Sequence, residues 1–242
     1  MIRIAAVGDL HVTARSRGTL RPPFLELAGR ADALLLAGDL TDLGKTSEAR
    51  ILADELRDVP VPVVAVLGNH DFHSGEAAAI RRMLEDTGVL MLEGESATLD
   101  VRGERVGIAG VKGFGGGFAG ACGHKFGEPE MKAFVQISED EAARLGASLR
   151  EIESCDYRIA LLHYAPITAT LEGERLEIFP FLGAYQLADA LDRAGADLAL
   201  HGHAHHGAMQ GATPGGIPVR NVAMPLIATR TPVLRTSRST AE

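Results

Sequence analysis

The stretch Ala33–Asp42, "ALLLAGDLTD", reads as a short β-type run that ends abruptly in glycine and aspartate. On its N-terminal side Ile2–His11, "IRIAAVGDLH", repeats the pattern, and on its C-terminal side Pro62–His73, "PVVAVLGNHDFH", repeats it again. Helical spacing lies between the runs, as in Ser47–Asp58, "SEARILADELRD". The order β-α-β-α-β predicts parallel strands joined by right-handed crossovers, hence an α/β fold.

Further along, Val89–Val111 alternates apolar and polar residues around a turn at Arg102–Glu104, which predicts an antiparallel hairpin. Residues 113–129, "GFGGGFAGACGHKFGEP", hold too much glycine for a regular element. A helix is expected from Ser138 as N-cap to Glu153, then a strand at Tyr157–His163, a helix closed by Gly195, and strands in "ADLAL" and "IPVRNVAM". We expect one domain over 1–228 with a Gly-rich loop insertion at about 112–130, and a polar, frayed tail over 229–242.

The 242 residues carry a formal charge of -8, which argues against non-specific coating of nucleic acid or anionic membrane. Cys122 and Cys155 form neither a disulfide framework nor a thiolate zinc site. The opening residues read as a strand, not a signal peptide, and no apolar run reaches the ~18 residues of a membrane span. The expected location is the cytoplasm.

Chemistry-bearing residues follow each apolar run: Asp9 and His11, Asp39, then Asn69, His70 and Asp71, then His163, and finally His201, His203, His205 and His206. Each has a plainer reading alone. Asp9 suits a turn, Asp39 a helix cap, His163 a satisfied core position and the last cluster an exposed His-rich turn. Their recurrence at five successive strand ends favours a shared site, where α/β folds place chemistry.

In order, Asp9-x-His11, Gly38-Asp39, Gly68-Asn69-His70-Asp71, His163 and Gly202-His203-x-His205 resemble the motif series of the calcineurin-like metallophosphoesterases. The resemblance implies a four-layer αββα sandwich of two mixed β-sheets flanked by helices. It implies one metal held by Asp9, His11, Asp39 and His205 and a second by Asp39, Asn69, His163 and His203, with Asp39 bridging. The thiolate-free set suits Mn, Fe, Zn or Co. In such enzymes a hydroxide between the ions attacks phosphorus; His70 resembles the proton donor to the leaving oxygen, with Asp71 fixing its orientation.

The resemblance thus implies a hydrolase of small phosphate esters, a phosphodiesterase before a phosphomonoesterase or protein phosphatase, and only remotely a non-catalytic scaffold. It leaves nucleic acid open as a substrate and homo-oligomers open as an assembly, and implies no membrane partner. "HGHAHH" departs from the metallo-β-lactamase pattern at Ala204 and His205, and Asp9-x-His11 stands where an amidohydrolase would place His-x-His. Secondary candidates for substrate contact are Arg15, Arg17, Arg21, Asp42 and His73. Phe114, Phe118 and His124 would belong to a loop covering the site or to a plain long loop, and Glu177–Gly183, "EIFPFLG", would line a substrate pocket, form a dimer contact or pack on the protein's own surface.

Overall fold

The computed structural model describes residues 1–227 and the backbone of 233–236. Its strands are β1 (Ile2–Val7), β2 (Ala33–Ala37), β3 (Val63–Val66), β4 (Leu90–Met91), β5 (Glu95–Val101), β6 (Glu104–Val111), β7 (Gly117–Phe118), β8 (Ala121–Cys122), β9 (Tyr157–Leu162), β10 (Leu198–His201), β11 (Gln210–Ala212), β12 (Pro218–Asn221) and β13 (Val233–Thr236). The helices are α1 (Arg21–Leu25), α2 (Thr46–Leu56), α3 (Ala77–Glu85), α4 (Pro129–Glu151), α5 (Phe179–Leu182), α6 (Tyr185–Ala194) and α7 (Met224–Ile227).

One sheet has the order β13-β1-β2-β3-β4 and the other β11-β12-β10-β9-β6-β5, with β7 and β8 paired separately. In the first, β1 to β4 are parallel and β13 is antiparallel to β1. In the second, β12, β10, β9 and β6 are parallel, flanked by antiparallel β11 and β5. Arg102 and Gly103 both take positive φ in the β5–β6 turn, the two-residue geometry whose twist matches its strands.

Three apolar layers separate four structural ones. Ile4, Leu35 and Val64 of the first sheet meet Ile108, Ile159 and Leu200 of the second. The outer face of the first sheet packs Leu34 and Leu36 on Leu52, Ile80 and Leu84 of α2 and α3. The outer face of the second packs Ala109 and Leu162 on Leu145, Leu149, Leu187 and Leu191 of α4 and α6. This is the αββα sandwich, and burial on both faces explains why β2 reads as an unbroken apolar run.

Two sequence expectations need correction. The long helix begins at Pro129, whose fixed φ suits the first turn, and Ser138 lies inside it. Ser138 caps nothing: its hydroxyl donates to the Gly115 carbonyl, tying α4 to the Gly-rich loop. The tail expected to be frayed pairs with β1 over Val233–Thr236; 228–232 and 237–242 lie outside the described residues. Among the described residues no helix is long and apolar enough to cross a membrane.

Candidate metal centre

The parallel strands of both sheets deliver their C-terminal ends to one edge of the sandwich. β1 leads to Asp9 and His11, β2 to Asp39, β3 to Asn69 and His70, β9 to His163, and β10 to His203 and His205. The backbone is bent hard to do so. Of six non-glycine residues with positive φ among the described residues, four are Asp9 (58°), His11 (43°), Asp39 (48°) and His203 (70°). Non-glycine residues rarely adopt this region, and such strain gathers at functional sites. Glycine beside them provides close approach: a Cβ on Gly68 would lie 2.1 Å from the Asp39 carboxylate, and one on Gly202 would lie 2.3 Å from that of Asp9.

Among the described residues three groups of donor atoms could each hold an ion; one is His11, Asp42 and His70, and the other two match the expected ligand sets. Donor atoms of Asp9, His11 and His205 lie within 4.8 Å of one another, as do those of Asp39, His163 and His203. Asp39 stands between the sets, with Oδ2 3.7 Å from His11 Nε2 and Oδ1 3.3 Å from His163 Nε2. Asn69 Oδ1 is 2.9 Å from the same His163 nitrogen. All seven metal-ligand candidates thus converge on one edge. His201 points away, fully buried, with Nε2 on the Thr170 hydroxyl, and His206 is exposed.

Hydrogen bonds fix the imidazoles. His163 Nδ1 donates to the Ala37 carbonyl at 2.9 Å, leaving Nε2 as the lone pair facing Asp39 and Asn69. His203 Nε2 donates to the Phe181 carbonyl at 3.2 Å, leaving Nδ1. Burial pushes His203 down to about 3 and also lowers His11, so both rings are neutral near pH 7. Burial opposes the charge on Asp9, but the His205 hydrogen bond and neighbouring imidazoles hold its carboxyl below the ordinary range. His205 is raised by Asp9, which marks a place that favours positive charge.

These features fit metal ions. Both ring nitrogens of His11 are buried without a hydrogen-bond partner among the described residues, an arrangement that costs free energy unless a ligand satisfies them. Neutral imidazoles beside ionised carboxylates are the protonation states that metal binding requires.

His70 lies beside both sets, its ring centroid 4.5 Å from that of His11 and its Nε2 4.0 Å from Asp39 Oδ2. The expected orienting role of Asp71 is corrected. Its carboxylate is fully buried and accepts from the Leu40, Thr41 and Gly68 amides and the Thr41 hydroxyl. It therefore ties the β2 and β3 loops together. The ring is oriented by the Asp42 carbonyl, which accepts from His70 Nδ1 at 2.7 Å.

Asp42 also reaches the site through its side chain, with Oδ1 3.6 Å from His11 Nδ1. His73 and Arg15 are exposed, while Arg17 and Arg21 turn to Asp54 and Asp58 at the end of α2. One residue escaped the sequence reading. Lys112 directly follows β6, and its carbonyl accepts from the His163 and Tyr164 amides. Its Nζ donates to the Gly113 carbonyl and sits 5.5, 5.0 and 5.2 Å from the ring centroids of Phe72, Phe114 and Tyr164. Burial lowers it to about 8, opposed by Glu93 and Asp39. Its strand-end position was the available signal.

The Gly-rich segment forms a wall beside the centre. Gly116 and Gly117 amides donate to the Pro180 and Gly183 carbonyls. Phe114 stacks near Phe134 and Tyr164, and Phe118 is buried. Between this wall, α4 and α5 lies a cavity of about 680 Å³ that His124, Pro180 and Phe181 help to line.

A model of the family described as calcineurin-like phosphoesterase matches residues 2–207. Among solved structures, phosphopantetheinyl hydrolase from Mycobacterium tuberculosis aligns with a TM-score of 0.71 at 18% identity, covering 99% of this chain and 98% of that one. An anchor protein of the Plasmodium inner membrane complex aligns at 0.60 and 14% identity, covering 99% and 77%. A putative 5'-nucleotidase from Staphylococcus aureus aligns at 0.58 and 18%, covering 91% and 48%. At these identities the likeness shows the fold alone. Comparison with curated protein sequences gave no match.

Proposed function

The chain belongs to the calcineurin-like phosphoesterase family, and from that premise we propose that it hydrolyses phosphodiesters at a centre built for two transition-metal ions. The observation that carries the reading is the position of Asp39, whose two carboxylate oxygens face histidines from opposite ligand sets. Asp9, His11, Asp39 and His205 would hold one ion, and Asp39, Asn69, His163 and His203 the other. Bound there, such ions supply Lewis-acid charge to phosphoryl oxygens and lower the pKa of water.

The chain's own residues do the rest. His70, its Nδ1–H committed to the Asp42 carbonyl, turns Nε2 towards the centre and in its protonated form donates to the departing ester oxygen. Lys112 presents an ammonium, steadied by three aromatic rings, to a non-bridging oxygen of the bound phosphate. A diester monoanion needs little positive charge beyond the metals, and the adjoining cavity leaves room for a second substituent, which a monoester lacks.

The test compares bis-p-nitrophenyl phosphate with p-nitrophenyl phosphate, using chelated and then Mn-reloaded protein, with Asp39→Asn as the control for contaminating phosphatase. Metal-dependent turnover that favours the diester is the expected result. Preference for the monoester would overturn the diester assignment, and a phosphopantetheinyl-bearing substrate belongs in the same panel.

A further inference from the structure

The cavity beside the centre shares walls with it along two routes. Phe181, whose carbonyl accepts from His203, is one wall. The second route runs through rings: His203 to Tyr164 at 4.5 Å, Tyr164 to Phe114 at 5.9 Å, and Phe114 to Phe134 at 5.2 Å, where Phe134 lines the cavity. Phe181 is thus common to the cavity wall and to the support of His203, and the packed rings of Tyr164 and Phe114 stand between the two regions elsewhere.

The walls are built before any ligand arrives. The Gly116 amide donates to the Pro180 carbonyl at 2.7 Å and the Gly123 amide to the Gly116 carbonyl at 2.8 Å, while Ser138 pins Gly115. A volume of about 680 Å³ falls in the ~300–1,000 Å³ range of small-molecule sites.

The lining chemistry narrows the occupant. Met131, Phe134, Pro180 and Phe181 give an apolar surface, on which Met131 is 44% and Phe181 62% exposed. Among the described lining residues none is lysine or arginine, and the acidic Glu130 is present. A nucleic-acid strand or polyphosphate arm would find neither lysine nor arginine here, and His124 alone against Glu130.

We propose that this cavity is a subsite for the second ester substituent of the phosphodiester, selecting an extended, uncharged aliphatic chain; the inference rests on the phosphodiesterase reading above.

A series of p-nitrophenyl alkyl phosphates tests it, with methyl, butyl and octyl arms on one leaving group and one phosphate charge. Burying a methylene is worth a factor of about three to four when complete, so kcat/KM should rise by roughly 30-fold or more from methyl to octyl even with partial burial. An arm of equal length ending in a carboxylate should lose that gain, and Met131→Glu should flatten the series. A flat series in the wild type overturns the subsite. Absence of metal-dependent turnover of every ester, methyl included, overturns the phosphodiesterase reading instead.

A readout without turnover separates the two. Cys122 lines the cavity, half-buried, whereas Cys155 is buried elsewhere. Octyl phosphate at about ten times its Kd should slow N-ethylmaleimide alkylation of Cys122 about tenfold in metal-free protein, and inorganic phosphate should not. Unchanged alkylation under octyl phosphate overturns the subsite whatever the activity assays show.

Discussion

The metal centre and the cavity beside it are built by opposite means. The centre hangs on strand ends from two sheets, with bent backbone, glycines at close approach and the His70, His163 and His203 rings aimed by main-chain carbonyls. The cavity is made of a glycine-rich wall leaning on one short helix and the first turns of α4, held by a few backbone hydrogen bonds. The two constructions divide the labour. Chemistry that tolerates little displacement sits on the scaffold, and selection sits on loops that can change without disturbing it.

That division can be broken at Asp39. Asp39→Asn removes the charge both ligand sets share, so activity should fall by about 10³-fold or more and metal content should drop from two ions. Protection of Cys122 by octyl phosphate should survive, because no cavity wall is touched. Elemental analysis with the alkylation assay checks both, and loss of protection along with the metals would show the regions to be one unit.

His70→Ala sharpens the picture inside the centre. Metal content should stay at two while turnover of a diester with a poor alkoxide leaving group falls by about 10²-fold or more. A p-nitrophenolate leaving group needs little protonation, so its loss should be much smaller. Equal losses for both leaving groups would mean that His70 positions the phosphate and does not deliver a proton.

Lys112 occupies the seam, touching Phe72 of the centre and Phe114 of the wall. Lys112→Met should raise KM for an anionic diester about tenfold with a small change in kcat, and Lys112→Arg should restore most of it. An unchanged KM would reduce Lys112 to a prop between the regions.

The contrast also explains what the sequence made legible. Asp9, His11, Asp39, Asn69, His163, His203 and His205 each end an apolar run, so a parallel sandwich had to bring them together. The αββα layering follows from the same runs through the family resemblance. Orientation was not legible, because the group that holds His70 is the carbonyl of Asp42, which carries no side-chain signature. Asp71 looked like the orienter by adjacency, yet its oxygens are taken by the Leu40, Thr41 and Gly68 amides and the Thr41 hydroxyl. The cavity was legible only in pieces: the segment 177–183 was a pocket candidate and supplies Pro180 and Phe181, but no local period connects it to the other wall, which comes from 116–134. Ser138 misled for the same reason, its partner being Gly115.

A last test concerns what supports the centre from behind. Glu93, after β4, accepts from the Leu67 amide at 2.8 Å, just ahead of Gly68 and Asn69. Burial raises its carboxyl to about 7, against the pull of the Leu67 hydrogen bond and of Lys112. An acid whose folded-state pKa lies above its unfolded value contributes stability that is present below about 4.5 and lost as pH rises through about 7. Glu93→Gln keeps an oxygen for Leu67 and removes the titration. Its unfolding free energy should match the wild type in acid and exceed it above pH 7, by on the order of 1 kcal/mol because the carboxylate is only partly withdrawn from water, and its melting temperature should rise accordingly. A variant less stable than wild type above pH 7 would show that the anion itself is needed, paired through space with Lys112, and the seam between centre and cavity would then be an electrostatic one.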